Sequence, residues 1–249
     1  MTTMTKAHLR AIHTSLDVYY RDAARTARMD RLNAQFVPKG GLAFDIGAHV
    51  GDRTGSFLRL GAMVVTVEPQ PHIFRALRLL YGGCNRAHLH QVAVGAAPGT
   101  LELHVNTDNP TITTASSDLI AAARKAAQWQ GQVWDDCLAV DVTTLDALIA
   151  LYGMPDFVKI DVEGHELEVL KGLSKCPAAL SFEFTTIQKD VALACLTQME
   201  SLADYEFNVS LGEDHAFVNP SWTDAASIKT QIAGLPMRAN SGDVFARLR

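Results

Sequence analysis

From residue 40 onward, short apolar runs alternate with stretches of helical periodicity, and this alternation constrains the fold more than any other feature of the chain. The apolar runs are continuous, which is typical of strands that are buried on both faces of a sheet. The predicted strands occupy residues 42–46, 64–68, 89–94, 157–161 and 179–184. Helices are predicted through Phe57 and Leu60 and over residues 71–81. The pattern therefore predicts an α/β fold with a doubly wound, mostly parallel sheet.

The two ends of the chain depart from this alternation. Apolar residues recur at helical spacing near the start, which predicts an N-terminal amphipathic helix that ends before Pro38. A second face of this helix carries Arg21, Arg25, Arg28 and Arg31, and we expect that face to be solvated. At the other end, residues 206–211 and 243–248 are predicted to pair as antiparallel strands at the sheet edge. The prediction is a helical extension over residues 1–39 followed by one domain over residues 40–249.

About sixty residues separate the third and fourth predicted strands, too many for a plain crossover, so we expect an insertion at about residues 107–140. Together with residues 212–242, this segment is expected to shape a substrate pocket. Three tryptophans in variable segments are candidates either for the pocket or for ordinary packing. They are Trp129, Trp134 and Trp222. A further helix is predicted over residues 191–202 with Asp190 as its N-cap.

Composition excludes several classes of protein. The 249-residue chain has 22 Lys and Arg against 27 Asp and Glu, a formal net charge of −5, so nucleic acid is not an expected partner. No apolar run approaches the roughly 18 residues that a membrane-spanning helix requires, so no span is expected. The four cysteines have no C-x-x-C spacing, which predicts reduced thiols and a cytoplasmic location. The oligomeric state is left open.

The first strand-to-helix turn is where an open α/β sheet binds its ligand. A dinucleotide-binding loop has the pattern G-x-G-x-x-G, but His49 and Asp52 stand at its second and third glycine positions here. Because these side chains would obstruct a diphosphate, NAD and FAD are disfavoured. The turn instead has an acid, Asp45, at the strand end and glycines at positions 47 and 51. This arrangement suits a ligand that is cationic or rich in hydrogen-bond donors.

Glu68 closes the second predicted strand, roughly 20 residues after the glycine loop. An acidic side chain at this spacing hydrogen-bonds the ribose hydroxyl groups of an adenosine. The loop and the acid together predict an adenosine ligand without phosphates, and S-adenosylmethionine fits that description.

A second block, FVKIDVEGHE at residues 157–166, places three acids, a lysine and a histidine at one strand end and the turn after it. Strand alternation directs Lys159 and Asp161 to the same side. Taken with DIGAHVG at residues 45–51, the block resembles the FkbM family of S-adenosylmethionine-dependent methyltransferases. Members of that family pair a D-[IV]-G-A-x-x-G loop with a K-[IV]-D-[VI]-E-G-x-E block. The resemblance runs from about Phe44 to Phe184.

This resemblance implies a class I methyltransferase fold, which is Rossmann-like, with S-adenosylmethionine as cofactor. It also implies O-methylation of a hydroxyl on a sugar, glycolipid or secondary metabolite. The residues that would hold the cofactor, by motif or by fold position, are Asp45, Gly47, Ala48, His49, Gly51, Glu68, Ala93 and Val94. The residues that would face the methyl acceptor are Asp161, Glu163 and His165.

A sugar hydroxyl is a weak nucleophile, so its methylation calls for a base or a cation beside it. We expect Asp161 to orient the acceptor and Glu163 or His165 to take the proton. A Mg²⁺ ion held by Asp161, Glu163 and Glu183 is kept as an alternative, and so is a purely structural ion pair between Lys159 and Glu163. Two other functions stay open: a nucleoside-binding protein without catalytic activity and, less favoured, an NAD-dependent oxidoreductase.

Overall fold

A computed structural model describes residues 5–249 and contains ten strands in two sheets. In chain order the strands are β1 Leu42–Ile46, β2 Met63–Val67, β3 Ala87–His90, β4 Ala93–Val94, β5 Gly99–Val105, β6 Asp136–Thr143, β7 Phe157–Ile160, β8 Ala179–Thr185, β9 Tyr205–Leu211 and β10 Ser241–Leu248. The main sheet has the order β3-β2-β1-β7-β8-β10-β9, and the small sheet has the order β4-β6-β5. The first five strands of the main sheet are parallel, whereas β10 runs antiparallel to both β8 and β9. The predicted α/β class and the antiparallel last strand are confirmed.

Nine α-helices accompany these strands within the described residues. They are α1 Lys6–Tyr20, α2 Ala23–Asn33, α3 Asp52–Leu60, α4 Pro71–Tyr81, α5 Ser117–Ala123, α6 Leu145–Tyr152, α7 Glu166–Lys171, α8 Lys189–Leu202 and α9 Ala225–Gly234. None of them is long and apolar enough to cross a membrane.

The continuous apolar runs become the central strands, as their pattern predicts. All five residues of β1 are buried, because β1 pairs with β2 on one side and β7 on the other and lies in the middle of the sheet. Helix α4 covers the sheet with one face only: Ile73 and Leu77 are buried, whereas Leu79 points to solvent. The buried apolar residues form two large clusters, one built around Phe44 and Phe182 and the other around Phe57 and Phe157, and a small cluster that includes Leu77 of α4.

The N-terminal extension forms two helices, so the prediction of one continuous helix is wrong. Helix α1 ends at Tyr20, and Asp22 is the N-cap of α2 because its carboxylate accepts a hydrogen bond from the backbone N–H of Arg25 at 2.9 Å. A short carboxylate at the N-cap accepts a hydrogen bond from a free N–H group of the first helical turn. A new helix therefore begins after Asp22, and α1 does not continue through it. The expectation of a solvated arginine face is wrong for Arg25, which is buried.

The predicted third strand, residues 89–94, is also incorrect as a single element. It divides into the end of β3, which pairs with β2, and β4, which pairs with residues Val142 and Thr143 of β6 in the small sheet. Periodicity reports local burial and not the partner strand, so a run that changes sheets midway is read as one strand.

The segments predicted to vary contain regular structure. The proposed insertion holds α5 and the first half of β6, which pairs antiparallel with β5. The late segment over residues 212–242 contains α9, which the sequence did not reveal. Helix α8 begins one residue before the predicted N-cap, because Gln188 occupies the cap position and Asp190 lies within the first turn.

Candidate active site

A cavity of about 1020 Å³, part of it open to solvent, lies beyond the carboxyl ends of β1, β2, β7 and β8. Parallel strands bring these ends to one edge of the sheet, which is where open α/β sheets bind ligands. Ten of the predicted site residues line it: Asp45, Gly47, Ala48, His49, Glu68, Ala93, Val94, Asp161, Glu163 and His165. Residues that are as many as 120 positions apart in the chain are thus gathered around one space.

Gly51 is the one predicted site residue that does not line the cavity. It is the N-cap of α3 with a φ of 83°, and a Cβ there would come within 2.6 Å of Leu77 and 2.7 Å of Tyr81. The tyrosine hydroxyl also donates a hydrogen bond to the Gly51 carbonyl at 2.8 Å. This glycine is therefore required by packing between the loop and α4, so the expectation that it contacts the cofactor is not supported by its position.

Gly47 permits the close approach of two strand ends. Its φ is 80°, and a Cβ at this position would collide with the carbonyl oxygen of Asp161. The backbone N–H of Asp161 in turn donates to the carbonyl of Ile46 at 2.9 Å. The glycine loop after β1 and the acidic turn after β7 are consequently one continuous wall of the cavity.

Asp45 is buried at the end of β1 and is held by a hydroxyl pair. The hydroxyl of Thr54 donates to its carboxylate at 2.5 Å and lies 3.0 Å from the hydroxyl of Thr66. Burial raises the pKa of Asp45 to about 6, and the hydrogen bond from Thr54 opposes part of that rise. The acid is thereby fixed in place at the floor of the cavity.

Glu68 is placed to accept hydrogen bonds from a ligand. Its Oε2 accepts from the backbone N–H of His49 at 3.0 Å, and its Oε1 accepts from that of Gln70 at 2.8 Å. A carboxylate has about four acceptor positions, so each oxygen keeps capacity for one further donor. Burial raises the pKa of Glu68 to about 7, against the lowering effect of the two backbone donors. This side chain fits the two adjacent hydroxyl groups of a ribose.

His49 adopts a left-handed backbone conformation with a φ of 49°. Both of its ring nitrogens are buried without a hydrogen-bond partner among residues 5–249, and the ring of Tyr19 lies edge-on at a centroid distance of 6.0 Å. Burial lowers the pKa of His49 to about 4, so the imidazole is neutral at physiological pH. Unpartnered buried nitrogens are costly, and their presence at the cavity wall is typical of a binding site.

Three carboxyl groups converge on the β7 and β8 side of the cavity. Asp161 follows β7, Glu163 lies two residues later and Glu183 is on β8, and their carboxylate oxygens lie within 4.8 Å of one another. Burial, with the negative charge of Asp161, raises the pKa of both glutamates well above the ordinary range. Three acids of the predicted alternative magnesium site are therefore adjacent, and oxygen ligands of this kind suit a hard divalent cation.

Hydrogen bonds between side chains and backbone groups hold the turn that carries these acids. Glu163 has a φ of 53°, and its carbonyl accepts a hydrogen bond from the hydroxyl of Thr114 at 2.6 Å. Glu166 is buried, and its Oε1 accepts from the N–H groups of Val162 at 3.1 Å and Gly164 at 3.2 Å. The segment between β5 and β6 thus contacts the acidic turn and helps to fix its conformation.

Lys159 pairs with aspartates, not with the glutamate considered from the sequence. Its Nζ lies 2.6 Å from Asp243 on β10 and 3.1 Å from Asp161. Burial acts to lower the pKa of Lys159, but the charges of Asp161 and Asp243 outweigh it, so the pKa is raised and the ammonium stays charged. The structural ion pair between Lys159 and Glu163 is therefore a wrong interpretation.

His165 lines the cavity one residue before α7. Burial lowers its pKa below the usual range, so the ring is neutral near pH 7. A neutral imidazole can accept a proton, which keeps His165 available for the role assigned to it from the sequence.

The lining residues that the sequence analysis did not single out include Tyr19 of α1, Arg53 of α3 and Glu213 after β9. Two arginines share the two acids beside them. Arg25 contacts Asp52 at 2.8 Å and Glu213 at 2.5 Å, and Arg53 contacts Asp52 at 2.6 Å. Nothing in the sequence links these positions, because Arg25 and Glu213 are 188 residues apart.

The tryptophans do not line the cavity. Trp129 and Trp134 stack on each other at a centroid distance of 6.4 Å, and Trp222 packs against Phe36 and Phe217. Ordinary packing was the correct alternative for these residues.

A second group of side chains that could hold a metal ion, Glu102, His104 and Cys137, lies on the small sheet, away from the cavity acids.

A model of the FkbM methyltransferase domain matches residues 45–217, which include the glycine loop, the acidic turn and most of the main sheet. The chain belongs to the FkbM methyltransferase family. It is therefore a methyltransferase that depends on S-adenosylmethionine, and the family resemblance stated from the two motifs is confirmed. The prediction of S-adenosylmethionine as cofactor is likewise confirmed at the level of the family.

The name of one relative states the class of compound that it methylates. The hexuronic acid methyltransferase AglP of Haloferax volcanii is 25% identical over 202 residues, which cover 80% of this chain and 77% of the relative.

Solved structures of methyltransferases also align over most of the chain. A TehB-like S-adenosylmethionine-dependent methyltransferase from Corynebacterium glutamicum has a TM-score of 0.47 at 11% identity, covering 95% of this chain and 94% of its own. Aeropyrum pernix fibrillarin, solved with natively bound S-adenosyl-L-methionine, has a TM-score of 0.47 at 9% identity, covering 92% and 75%.

The cavity of this FkbM chain fits its cofactor chemically. S-adenosylmethionine carries a sulfonium, an ammonium group and one carboxylate, and the carboxyl groups on the cavity wall suit its two positive groups. The free acceptor positions of Glu68 suit a ribose, and His49, whose backbone N–H contacts Glu68, also lines the cavity. Apolar residues Ala93 and Val94 offer a surface for the adenine ring.

Proposed function

We propose that this FkbM methyltransferase transfers the methyl group to a hydroxyl of a sugar or of a sugar-bearing lipid or secondary metabolite. The observation that carries the proposal is the carboxyl group of Glu163, held with Asp161 and Glu183 on the side of the cavity next to the cofactor loop. A carboxyl group whose pKa is raised can take the proton that a hydroxyl loses. The name of the relative AglP, a hexuronic acid methyltransferase, supports a sugar acceptor.

The cofactor is assigned to the β1 and β2 side of the cavity. Glu68 would accept hydrogen bonds from the ribose, and Ala93 and Val94 would contact the adenine. The loop from Asp45 to His49, with Gly47 and Ala48, would lie against the charged amino acid portion. When bound there, S-adenosylmethionine supplies a methyl group activated by its sulfonium.

The protein's own contribution is to position the acceptor and to remove a proton. Asp161, fixed by the Lys159 ammonium at 3.1 Å, orients the acceptor hydroxyl. The Glu163 carboxylate would take the proton that the acceptor hydroxyl loses when its oxygen receives the methyl group. His165 is the alternative proton acceptor. Holding the reacting groups in line supplies much of the rate enhancement, since alignment replaces a random encounter.

A divalent cation is the second candidate arrangement for the same residues. Mg²⁺ bound by Asp161, Glu163 and Glu183 would lower the pKa of an acceptor hydroxyl directly, in place of a protein base. The mutual proximity of these carboxylate oxygens, within 4.8 Å, favours considering it. Methyl transfer measured with added Mg²⁺ and with a chelator separates the two arrangements.

The test of the proposed function is methyl-label transfer from S-adenosylmethionine to a panel of hydroxylated sugars, glycolipids and polyketides. In the presence of an accepted sugar, Glu163→Gln is expected to lower kcat about 100-fold, because a general base contributes about 10²–10⁴ in rate. Glu102→Gln, an exposed glutamate outside the cavity, is the matched control and should retain full activity.

Two results would contradict the proposal. Cofactor binding in calorimetry without transfer to any acceptor class would favour the nucleoside-binding alternative. Full activity of Glu163→Gln together with loss of activity in His165→Ala would assign the role of proton acceptor to His165.

We also propose a cytoplasmic location, the expectation drawn from the spacing of the cysteines, and a domain that begins near residue 40.

A further inference from the structure

The wall of the cavity carries a large excess of acidic groups. Seven carboxyl side chains line it: Asp45, Asp52, Glu68, Asp161, Glu163, Glu183 and Glu213. Within residues 5–249, Arg53 is the one lysine or arginine among the lining residues. An acceptor that enters this space therefore meets many groups that repel an anion and one that could attract it.

The charge of Arg53 is already neutralised by the protein. Its Nη1 lies 2.6 Å from Asp52, and its Nη2 lies 3.4 Å from Glu213. Arg25 contacts the same two acids, so two guanidinium groups and two carboxylates balance. The negative charge of Arg53's partners holds the guanidinium in place, with 12% of its side chain exposed. This arginine is thus bound to the protein's own carboxylates and not offered to a ligand.

The other nearby cation is equally engaged. The Lys159 side chain is 3% exposed and does not line the cavity, and its ammonium lies against Asp243 and Asp161. An acceptor carboxylate next to the Asp161, Glu163 and Glu183 group would lose its hydration without gaining a cationic partner. Burying such an unpaired charge is strongly unfavourable.

From this charge distribution we propose that the acceptor of this enzyme carries no carboxylate where it enters the cavity: it is an uncharged hydroxylated sugar ring, not a uronic acid. The inference rests on the proposed sugar O-methyl transfer and narrows its substrate class. It separates this chain from the activity that the name of its hexuronic acid relative states.

The same acids suit an uncharged acceptor. Carboxyl oxygens accept hydrogen bonds, and the hydroxyl groups of a sugar ring donate them. The oxygens of Asp161, Glu163 and Glu183 lie close together on the cavity wall. They offer several acceptors to the hydroxyl groups of a neutral ring. Discrimination therefore comes from repulsion of the wrong acceptor as well as from contacts with the right one.

The experiment compares matched sugar pairs that differ only at C6: methyl glucoside with methyl glucuronide, and the corresponding galactose and mannose pairs. Label transfer from S-adenosylmethionine is measured with a chelator and with Mg²⁺. We expect the uncharged member of an accepted pair to have a kcat/KM at least tenfold higher, because like-charge contacts cost several kcal/mol. A uronide methylated as well as or better than its hexoside, in either condition, overturns the inference.

Failure of the proposed function would look different. If calorimetry shows S-adenosylmethionine binding but neither member of any pair is methylated, the sugar acceptor itself is contradicted, and this inference falls with it. If only uronides react, the sugar acceptor stands and the charge inference alone is wrong.

Two further measurements report on charge and not on folding. In Glu213→Gln, the preference for the hexoside over the uronide should shrink, because an ionised carboxylate is removed and Arg53 loses one of its partners; an unchanged ratio contradicts the inference. In the unmodified enzyme, raising the salt concentration should increase kcat/KM for the uronide relative to the hexoside, since salt screens repulsion. A ratio that does not respond to salt argues against electrostatic exclusion.

Discussion

The surroundings of Glu68 shift its pKa in two opposite directions. Its backbone partners, His49 and Gln70, favour the carboxylate, whereas burial favours the protonated acid and raises the pKa to about 7. A ribose donates hydrogen bonds and so favours the carboxylate. In the proposed complex the cofactor therefore binds the ionised form.

We predict that the affinity for S-adenosylmethionine increases as the pH rises from 6 to 8. Below the pKa of about 7, a proton must leave Glu68 before the ribose can bind, so binding weakens as the pH falls and levels off above 7. Glu68→Gln should bind at least tenfold more weakly at pH 8, since hydrogen bonds to a charged group contribute about 1.5–3 kcal/mol. Calorimetry at several pH values measures both effects.

Glu102→Gln serves as the control for this titration, because Glu102 is exposed on the small sheet. An affinity in Glu68→Gln that equals that of the unmodified chain would show that the ribose lies elsewhere. A pH dependence that persists in the variant would assign the titration to another acid, such as Asp45.

At the same scale, the sequence identified which residue types surround the cofactor but not how each is used. Gly47 was expected to hold the cofactor, and the structure shows that its lack of a Cβ is required by the carbonyl of Asp161. Gly51 is required by Tyr81. A motif records that a side chain is not tolerated, and only the neighbours in space reveal what excludes it.

Among the elements, β7 and β10 are joined through one buried cation. Lys159 lies on β7, and its partner Asp243 lies on β10, which is separated from β7 by β8. The pair therefore links the parallel part of the sheet to its antiparallel edge, and it fixes Asp161 as well.

We predict that Lys159→Met destabilises the fold by about 3–5 kcal/mol, because removing one partner leaves buried carboxylates uncompensated. Lys171→Met is the matched control. Its ammonium lies 2.6 Å from Glu168, but those side chains are 47% and 39% exposed, and an exposed pair contributes about 0–1 kcal/mol. Urea unfolding of both variants measures the difference. Equal losses in the two variants would refute a special role for the buried pair.

The strands were predicted correctly where an apolar run is buried uniformly within one sheet. They were predicted incorrectly where a run passes from one sheet to the other. The strands at residues 42–46 and 179–184 are continuous in the sequence and in the sheet. Residues 89–94 are equally apolar in pattern but divide between two sheets. Helix α9 was missed because its sequence, AASIKTQIAG, is short and weakly amphipathic.

For the whole molecule, several buried acids have pKa values above those of an unfolded chain. Burial raises the pKa of Asp45 to about 6 and those of Glu68 and Glu166 to about 7. At these three acids the folded chain holds more protons than the unfolded chain between about pH 4 and 7, and this contribution alone reduces stability as the pH rises.

Histidines with lowered pKa values, such as His49 at about 4, act in the opposite direction below about pH 6.5, where the unfolded chain protonates them. We therefore predict that the free energy of unfolding of the ligand-free protein decreases between pH 6.5 and pH 7.5. Glu213 has the opposite sign: its pKa is held well below the usual range by Arg53, His215 and Arg25 despite burial, so its contribution is lost only as the pH falls below about 4.5. Urea unfolding across this interval gives the slope. A stability that rises toward pH 7.5 would contradict the assigned protonation of the cavity acids.

The sequence by itself determined the α/β class, the positions of most main-sheet strands along the chain, the family and ten of the residues that line the cavity. It could do so because burial of apolar strands and the chemistry of two short motifs are local properties. Only the tertiary structure decided which charges meet. Lys159 and Asp243 are 84 residues apart and Arg25 and Glu213 are 188 apart. Such pairs depend on which strands become neighbours and how loops cross the sheet edge. Because of these pairings, no lysine or arginine among the described residues lines the cavity without a carboxylate partner.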